Sequence, residues 1–144
     1  MTRINSKILY PTLSYKLTGI FFSVHKNLGR FCREKQYGDA LEPLFKENDI
    51  KYKREYEIIK FKPESPKGNR VDFLIEDHII IDIKAKKFVT KEDYSQMIRY
   101  LESAALELGM IVNFQSPHLK PKRVLNAKLN HSDNSGVNSD YSGR

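Results

Sequence analysis

The alternation of apolar and polar residues is clearest between residues 70 and 86, where it predicts a β-hairpin. Around a three-residue turn at 76–78, residue 75 falls opposite 79, 73 opposite 81 and 72 opposite 82. One face then carries only apolar side chains: Val71, Phe73, Ile75, Ile79, Ile81, Ile83 and Ala85. The other face carries Arg70, Asp72, Leu74, Ile80, Asp82 and Lys84. A two-residue turn would place the two aspartates on opposite faces, so the apolar pattern itself selects this register.

Helical spacing of apolar residues predicts two helices before the hairpin. The first contains Leu17 to Leu28 and ends near Gly29, and the second covers about residues 33–47. We expect Pro43 to mark a kink or a new first turn, because a proline inside a helix costs about 3 kcal/mol. Residues 50–62 are rich in aromatic and β-branched side chains and predict a strand, which a loop at 63–69 follows.

The elements after the hairpin are predicted to be one helix and one short strand. Thr90 to Asp93 has the form of a capping box that opens a helix, and Gly109 is expected to close it. Residues 110–114 then predict a buried strand parallel to a neighbour. The predicted order is helix, helix, strand, hairpin, helix, strand, which indicates an α/β fold with a mixed sheet flanked by helices. We expect one domain at 1–119 and a polar, disordered tail at 120–144.

Composition narrows the class of protein without naming a reaction. Net charge is +7 over 144 residues, which favours a polyanion such as nucleic acid as partner. No apolar run approaches the roughly 20 residues that span a bilayer, and no long apolar signal region is present, so a cytoplasmic location without a membrane partner is expected. Cys32 is the single cysteine, which excludes an intrachain disulfide and a multi-cysteine zinc site.

The polar face of the hairpin carries the candidate chemistry. Carboxylates opposite one another in a hairpin lie about 5 Å apart and repel by about 3 kcal/mol at an effective dielectric of 20. Mg²⁺, or alternatively Mn²⁺, would neutralise Asp72 and Asp82, with the Ile83 carbonyl as a further ligand. Lys84 follows on the same face, where it would orient a metal-activated water or stabilise the charge of a pentavalent phosphate. This is chemistry for phosphodiester hydrolysis. The alternative is a solvated face on which Lys84 and Arg70 bridge the aspartates.

These residues resemble the PD-(D/E)XK nuclease superfamily. Asp72, then nine residues, then Asp82-Ile-Lys84 is similar to the two halves of the signature that gives the superfamily its name. Within this superfamily, the sequence also resembles the GxxExxY proteins. Three segments resemble the GxxExxY proteins: Leu28-Gly29, Glu34 to Tyr37 and Val112 to Phe114. Gln96 to Tyr100 resembles the QxxxY motif of several nucleases in the superfamily.

Three positions depart from the family pattern. Phe31 stands where the helix motif has a glycine, and Asp82 stands where relatives commonly carry glutamate. Val71 replaces the proline of the signature. The first departure loosens the helix motif, whereas the signature permits aspartate at position 82 and position 71 only packs.

The resemblance implies a restriction-endonuclease-like core of helix-strand-strand-strand-helix-strand and a metal-dependent nuclease. Asp72 and Asp82 would bind metal, Lys84 would be catalytic, and Glu34 would be a further acidic ligand or organiser. Gln96 and Tyr100 would support the site. The resemblance favours DNA over RNA as the substrate. The alternative function is a nucleic-acid-binding or protein-interaction module that keeps the fold but cleaves nothing. A homodimer or a partner protein is left open.

Overall fold

A computed structural model describes residues 10–58 and 70–129 as three helices and a five-stranded sheet. The helices are α1 (Pro11–Leu28), α2 (Glu34–Glu47) and α3 (Lys91–Ala104). The strands are β1 (Tyr52–Glu57), β2 (Arg70–Ile75), β3 (Ile79–Lys84), β4 (Leu108–Asn113) and β5 (Lys122–Leu125). None of the helices in these two ranges is long and apolar enough to cross a membrane.

The five strands lie in one mixed sheet in chain order, β1-β2-β3-β4-β5. β1, β2 and β3 pair antiparallel, β3 and β4 pair parallel, and β4 and β5 pair antiparallel. The single parallel pair follows from the connection between its strands, because a helical crossover returns the chain to the same end of the sheet. The predicted α/β class and mixed sheet are confirmed.

Each face of the sheet is covered by a different set of helices. On one face, α1 and α2 bury Leu17, Phe21, Tyr37, Leu41 and Phe45 against the alternate isoleucines of β3 and the apolar residues of β4. On the other face, α3 buries side chains that include Met97 and Leu101 against Leu74, Ile80 and Ile111. The sheet is therefore the middle layer of three, and β3 is its central strand.

The predicted hairpin is present, with one change at its open end. Its turn occupies residues 76–78, and Ile75 pairs with Ile79 and Phe73 with Ile81, as the apolar pattern predicts. The ladder ends at Phe73–Ile81, so Asp72 and Asp82 are not a backbone pair. Beyond that point the carboxylate of Asp72 accepts the N–H of Ile83, at 2.6 Å.

Val71 lies on the other side of the sheet from its predicted neighbours. It packs in the α3 core with Leu74, whereas Phe73 and Ile75 pack under α1 and α2. Strict alternation therefore fails at the residue where β2 leaves its ladder with β3. The prediction that Val71 shares the face of Phe73 is wrong because alternation holds only while the pleat is regular.

Two predicted helix boundaries need correction. Pro43 lies inside α2 and starts no new helix. Because Pro43 is exposed, the backbone carbonyl that lacks its N–H partner faces solvent. The buried residues Tyr37, Leu41 and Phe45 hold the helix in place. Gly109 does not close α3, because the helix ends at Ala104 and Gly109 belongs to β4. A Cβ at Gly109 would meet the side chain of Met97, so the glycine leaves room for that side chain.

The ends of two predicted segments also differ. β1 covers Tyr52–Glu57 within the predicted strand at 50–62, and the predicted loop at 63–69 lies outside the described residues. The disordered tail predicted from residue 120 is wrong for Lys122–Leu125, which forms β5 against the edge of β4. One buried side chain, Val124, anchors this strand. Residues 130–144 lie outside the described part of the chain.

Candidate active site

Asp72 lies where β2 and β3 diverge, and its carboxylate is held by β3. Its Oδ2 atom accepts a hydrogen bond from the Ile83 amide at 2.6 Å. Burial and then the neighbouring charge of Asp82 raise the pKa of Asp72 to about 8, and the Ile83 N–H, which lowers this pKa, does not offset them. Two carboxylates this close cannot both be charged cheaply without a cation between them or beside them.

Asp82 lies on β3 and is 7% exposed, which makes it one of the few buried charged residues in the described part of the chain. Its Oδ2 atom lies 3.2 Å from Lys84 Nζ, within ion-pair distance. The contact lacks hydrogen-bond geometry, and no described group donates a hydrogen bond to this oxygen. A buried carboxylate oxygen without a donor is costly, so the arrangement provides a ligand for a cation.

Lys84 lies between two buried carboxylates. Its Nζ is 3.2 Å from Asp82 Oδ2 and 3.7 Å from Asp93 Oδ1. Burial lowers the pKa of Lys84, but the carboxylates of Asp82, Asp93 and Glu34 outweigh burial, so its pKa lies above its usual value. The ammonium group is therefore charged at neutral pH and is directed toward the acidic pair.

Asp93 also belongs to this cluster, although its sequence context indicates only a helix cap. Its Oδ2 accepts the Thr90 N–H at 2.8 Å, and the Thr90 hydroxyl accepts the Asp93 N–H at 3.2 Å, so the predicted capping box is present. The same carboxylate forms an ion pair with Lys86 at 2.7 Å. Burial opposes the charge, but Lys86, Thr90 and Lys84 more than compensate and lower the pKa of Asp93. Proximity to Lys84 is a tertiary feature without a signal in the local sequence.

Glu34 is the first residue of α2 and reaches the same region from the opposite helix layer. Burial raises the pKa of its carboxyl group, while Lys84 and the Ala85 amide lower it and Asp82 raises it. Glu34 also lines a cavity of about 230 Å³ together with Asp72 and Ile83. The structure thus places Glu34 in the lining of the same cavity as Asp72, without grouping it with the aspartate pair as a third metal ligand within the described residues.

The two predicted supporting residues on α3 are placed differently from each other. Tyr100 is 5% exposed, and burial and the nearby charge of Asp82 raise the pKa of its hydroxyl group. Tyr100 is therefore buried near enough to the acidic pair to feel its charge. Gln96 lies one turn earlier and is half-buried, and the structure gives it no hydrogen bond within the described ranges.

Side chains from neighbouring loops fix the surroundings of the cluster. Asn113, at the end of β4, accepts the Lys86 N–H at 3.2 Å and donates to the Lys86 carbonyl at 2.8 Å. The hydroxyl group of Tyr37 donates to the Gly29 carbonyl at 2.6 Å, and its ring stacks on Phe114 at 4.3 Å between centroids. The segments on either side of Glu34 and Lys84 are thus held to the carboxyl end of β4.

The donor set fits a divalent cation through its aspartate pair. The described residues contain no group of three or more His, Cys, Asp and Glu side chains placed to hold a metal ion, so the full predicted set of ligands is not assembled. Asp72 and Asp82 are adjacent, and one buried oxygen of Asp82 lacks a hydrogen-bond donor in the same ranges. Mg²⁺ is commonly held by one or two carboxylates, with water and phosphate oxygens as its other ligands, so the pair fits such an ion.

Fold and site together define a mixed α/β domain in which an acidic pair and a lysine lie at the open end of a central hairpin. A family model of the PD-(D/E)XK nuclease superfamily matches residues 11–124, which is most of the chain. The protein therefore belongs to this superfamily. No curated protein and no solved structure matches the chain significantly.

Proposed function

We propose that the protein is a metal-dependent nuclease that hydrolyses phosphodiester bonds, with DNA as the favoured substrate. Asp72 and Asp82 would hold Mg²⁺ or Mn²⁺, with the Ile83 carbonyl and Glu34 as further ligands. Lys84 would be the catalytic lysine, and Gln96 would support the site with Tyr100. Membership of the superfamily supports this proposal, because its members are usually nucleases and generally use divalent metals.

The observation that carries the proposal is the close, buried pair of carboxyl groups at the open end of the hairpin. Asp72 and Asp82 are close enough that the pKa of Asp72 rises to about 8, and a buried oxygen of Asp82 has no hydrogen-bond donor in the described chain. A fold that stabilised only itself would gain from removing this repulsion. Such a cost is characteristic of sites that bind a cation or a substrate.

The residues divide the chemistry between them. A bound divalent ion would supply Lewis acidity toward a phosphate oxygen and toward a water molecule. Asp72, fixed by the Ile83 amide, would present its carboxylate after losing a proton. The Lys84 ammonium, 3.2 Å from Asp82 Oδ2, would donate hydrogen bonds to the phosphate as negative charge develops on it.

A cleavage assay with metal tests the proposal. Single- and double-stranded DNA and RNA are incubated with Mg²⁺ or Mn²⁺ and wild type, Lys84→Ala, or the exposed control Lys128→Ala. We expect Lys84→Ala to lose activity by a factor on the order of 10²–10³ and Lys128→Ala to retain it. Equal cleavage by Lys84→Ala and wild type would contradict the proposed role.

Calorimetric titration separates metal binding from catalysis. Wild type should bind Mg²⁺ or Mn²⁺, and Asp82→Ala should lose that binding because it removes one of two carboxylate ligands. Absence of metal binding by wild type, even with a DNA oligonucleotide present, would overturn the nuclease proposal.

One observation favours the alternative of a non-catalytic nucleic-acid-binding or protein-interaction module. No third acidic or histidine ligand is grouped with the aspartate pair within the described residues. Under this alternative, binding of nucleic acid persists while cleavage is absent with either metal. Assignment to the GxxExxY proteins, a cytoplasmic location, a single domain and association with itself or a partner protein stay predictions.

A further inference from the structure

Two phenylalanines beside the candidate site are almost fully exposed. Phe31 is 76% exposed and Phe88 is 74% exposed. Phenylalanine is usually buried. One exposed ring on a protein surface is common and carries little information, but two exposed rings in the segments that flank one site form a pattern. Phe31 lies three residues before Glu34, and Phe88 lies four residues after Lys84.

The segments that carry the two rings are neighbours. The charges of Lys84 and Lys86 and the amide of Ala85 all act on the carboxyl group of Glu34, which places the start of α2 beside the chain that follows β3. Arg30 Nε donates to the Gln115 carbonyl at 2.8 Å, and Asn113 is bonded to the backbone of Lys86. Residues 29–33 and 85–90 are thus both tied to the carboxyl end of β4.

The rings lie among unpaired positive charges. Arg33, Lys87 and Lys91 are exposed, and none has a carboxylate within ion-pair distance in the described part of the chain. The guanidinium group of Arg30 lies over the ring of Phe31, at 4.7 Å from its centroid. Exposed aromatic rings interleaved with free cations suit a chain of phosphates with accessible bases.

We propose that Phe31 and Phe88 stack against unpaired bases, so that the substrate presents a single-stranded segment at the site. This inference rests on the proposed nuclease function and adds a substrate class to it. An exposed phenyl ring reaches a base face only where the base is not already stacked in a duplex. Phosphates on either side of the stacked bases would contact Arg33, Lys87 and Lys91. Ring stacking does not distinguish DNA from RNA, so both are tested.

The test is a binding measurement without metal, so that no strand is cut. Fluorescence anisotropy with excess chelator follows a labelled 20-mer as single-stranded DNA, as single-stranded RNA and as duplex DNA. Wild type is compared with Phe31→Ala, Phe88→Ala, their double variant, and Tyr15→Ala as an exposed aromatic control on α1. Phe31→Tyr and Phe88→Tyr keep the ring and should restore binding, and melting temperatures establish that each variant is folded.

We expect wild type to bind single strands more tightly than duplex. Each alanine variant should weaken single-strand binding on the order of tenfold and leave duplex binding unchanged. The ring variants should keep the slope of log affinity against log salt. By contrast, Lys87→Ala should reduce that slope by about 0.7, because it leaves one fewer phosphate neutralised on the single strand.

Three outcomes would overturn the inference. These are unchanged single-strand affinity in the double variant, equal losses on duplex and single strand, and retention of wild type on anionic phospholipid vesicles that depends on the same two rings. The assay is independent of cleavage. An active nuclease with unaffected ring variants refutes the stacking alone, and ring-dependent binding without metal-dependent cleavage refutes the nuclease alone.

Discussion

Two clusters of acidic and basic side chains lie on either side of β2, and the pKa values of their acidic groups shift in opposite directions. In the first, Arg54 of β1 binds Asp39 at 2.7 Å and Glu42 at 2.6 Å on α2, and the Tyr52 hydroxyl donates to Glu42 at 2.7 Å. These hydrogen bonds lower the pKa of Asp39 and of Glu42. In the second, burial and mutual repulsion raise the pKa of Asp72.

The difference separates a structural cluster from a candidate functional one. Each acid in the Arg54 cluster has a donor, and Gly38 leaves the space that the guanidinium group fills, because a Cβ at that position would meet Arg54. The cluster of Asp72, Asp82 and Lys84 contains a buried oxygen without a donor in the described chain. The same residue types therefore indicate a metal and substrate site only where the fold buries two acids beside each other and leaves a carboxylate oxygen without a hydrogen-bond donor.

The largest effect on this comparison is expected from Asp93→Asn. The amide can still accept the Thr90 N–H, but it removes the negative charge 3.7 Å from Lys84 and the ion pair with Lys86. Because Asp93 is a second carboxylate that holds Lys84 in place, we expect kcat to fall on the order of ten- to a hundredfold with little change in KM. Steady-state cleavage kinetics measure both constants.

Thr90→Ala is the matched control for that substitution. It removes the cap hydroxyl that accepts the Asp93 N–H and leaves the ion pairs in place. It should cost about 1 kcal/mol of stability and leave kcat unchanged. If both variants lost activity in proportion to their stability, Asp93 would be a helix cap only.

The sequence could predict what depends on regular alternation and could not predict what depends on its interruption. The apolar faces of Ile75, Ile79 and Ile81 require a three-residue turn, and the structure has it. Val71 and Asp72 lie where the ladder ends, and the Asp72 side chain rather than a backbone group binds the Ile83 amide. No periodic pattern encodes such a local exchange of partners.

Residues that have two roles are also difficult to predict from the sequence. Asp93 fits the pattern of a capping box, so the sequence indicates only that role. Its contact with Lys84 arises from the packing of α3 on the sheet, which the local sequence does not indicate. Similarly, Gly109 suits the end of a helix, but in β4 it leaves room for the side chain of Met97. β5 was not predicted because Lys122–Leu125 contributes a single fully buried residue to the core, which is too few to form an apolar pattern in the sequence.

A smaller effect is expected in the pH dependence of stability, where the two clusters should act in opposite directions. The pKa of Asp72 rises from an ordinary value near 4 to about 8 on folding. Its contribution to stability is present below about pH 4 and is lost as pH rises through about 8. Asp39 and Glu42 have lowered pKa values, so their contributions are present above about pH 4 and are lost as pH falls.

Thermal denaturation with chelator measures this difference between pH 6 and 9. Wild type should lose stability toward pH 9, and Asp72→Asn, which has no charge to bury, should melt on the order of 5 °C higher at pH 9. Asp39→Asn should leave the wild-type trend over this range intact. Parallel curves for wild type and Asp72→Asn would show that the two aspartates do not repel in the folded protein.

The smallest effect is expected from Glu42→Gln, which alters the Arg54 cluster alone. Glu42 accepts a hydrogen bond from Tyr52 and raises the pKa of that hydroxyl group to about 12. With a neutral partner, the pKa of Tyr52 should fall toward the ordinary value near 10. Ultraviolet titration of tyrosine ionisation should show one additional tyrosine titrating below pH 11, with nuclease activity unchanged. Loss of activity in this variant would connect the two clusters and remove the distinction between them.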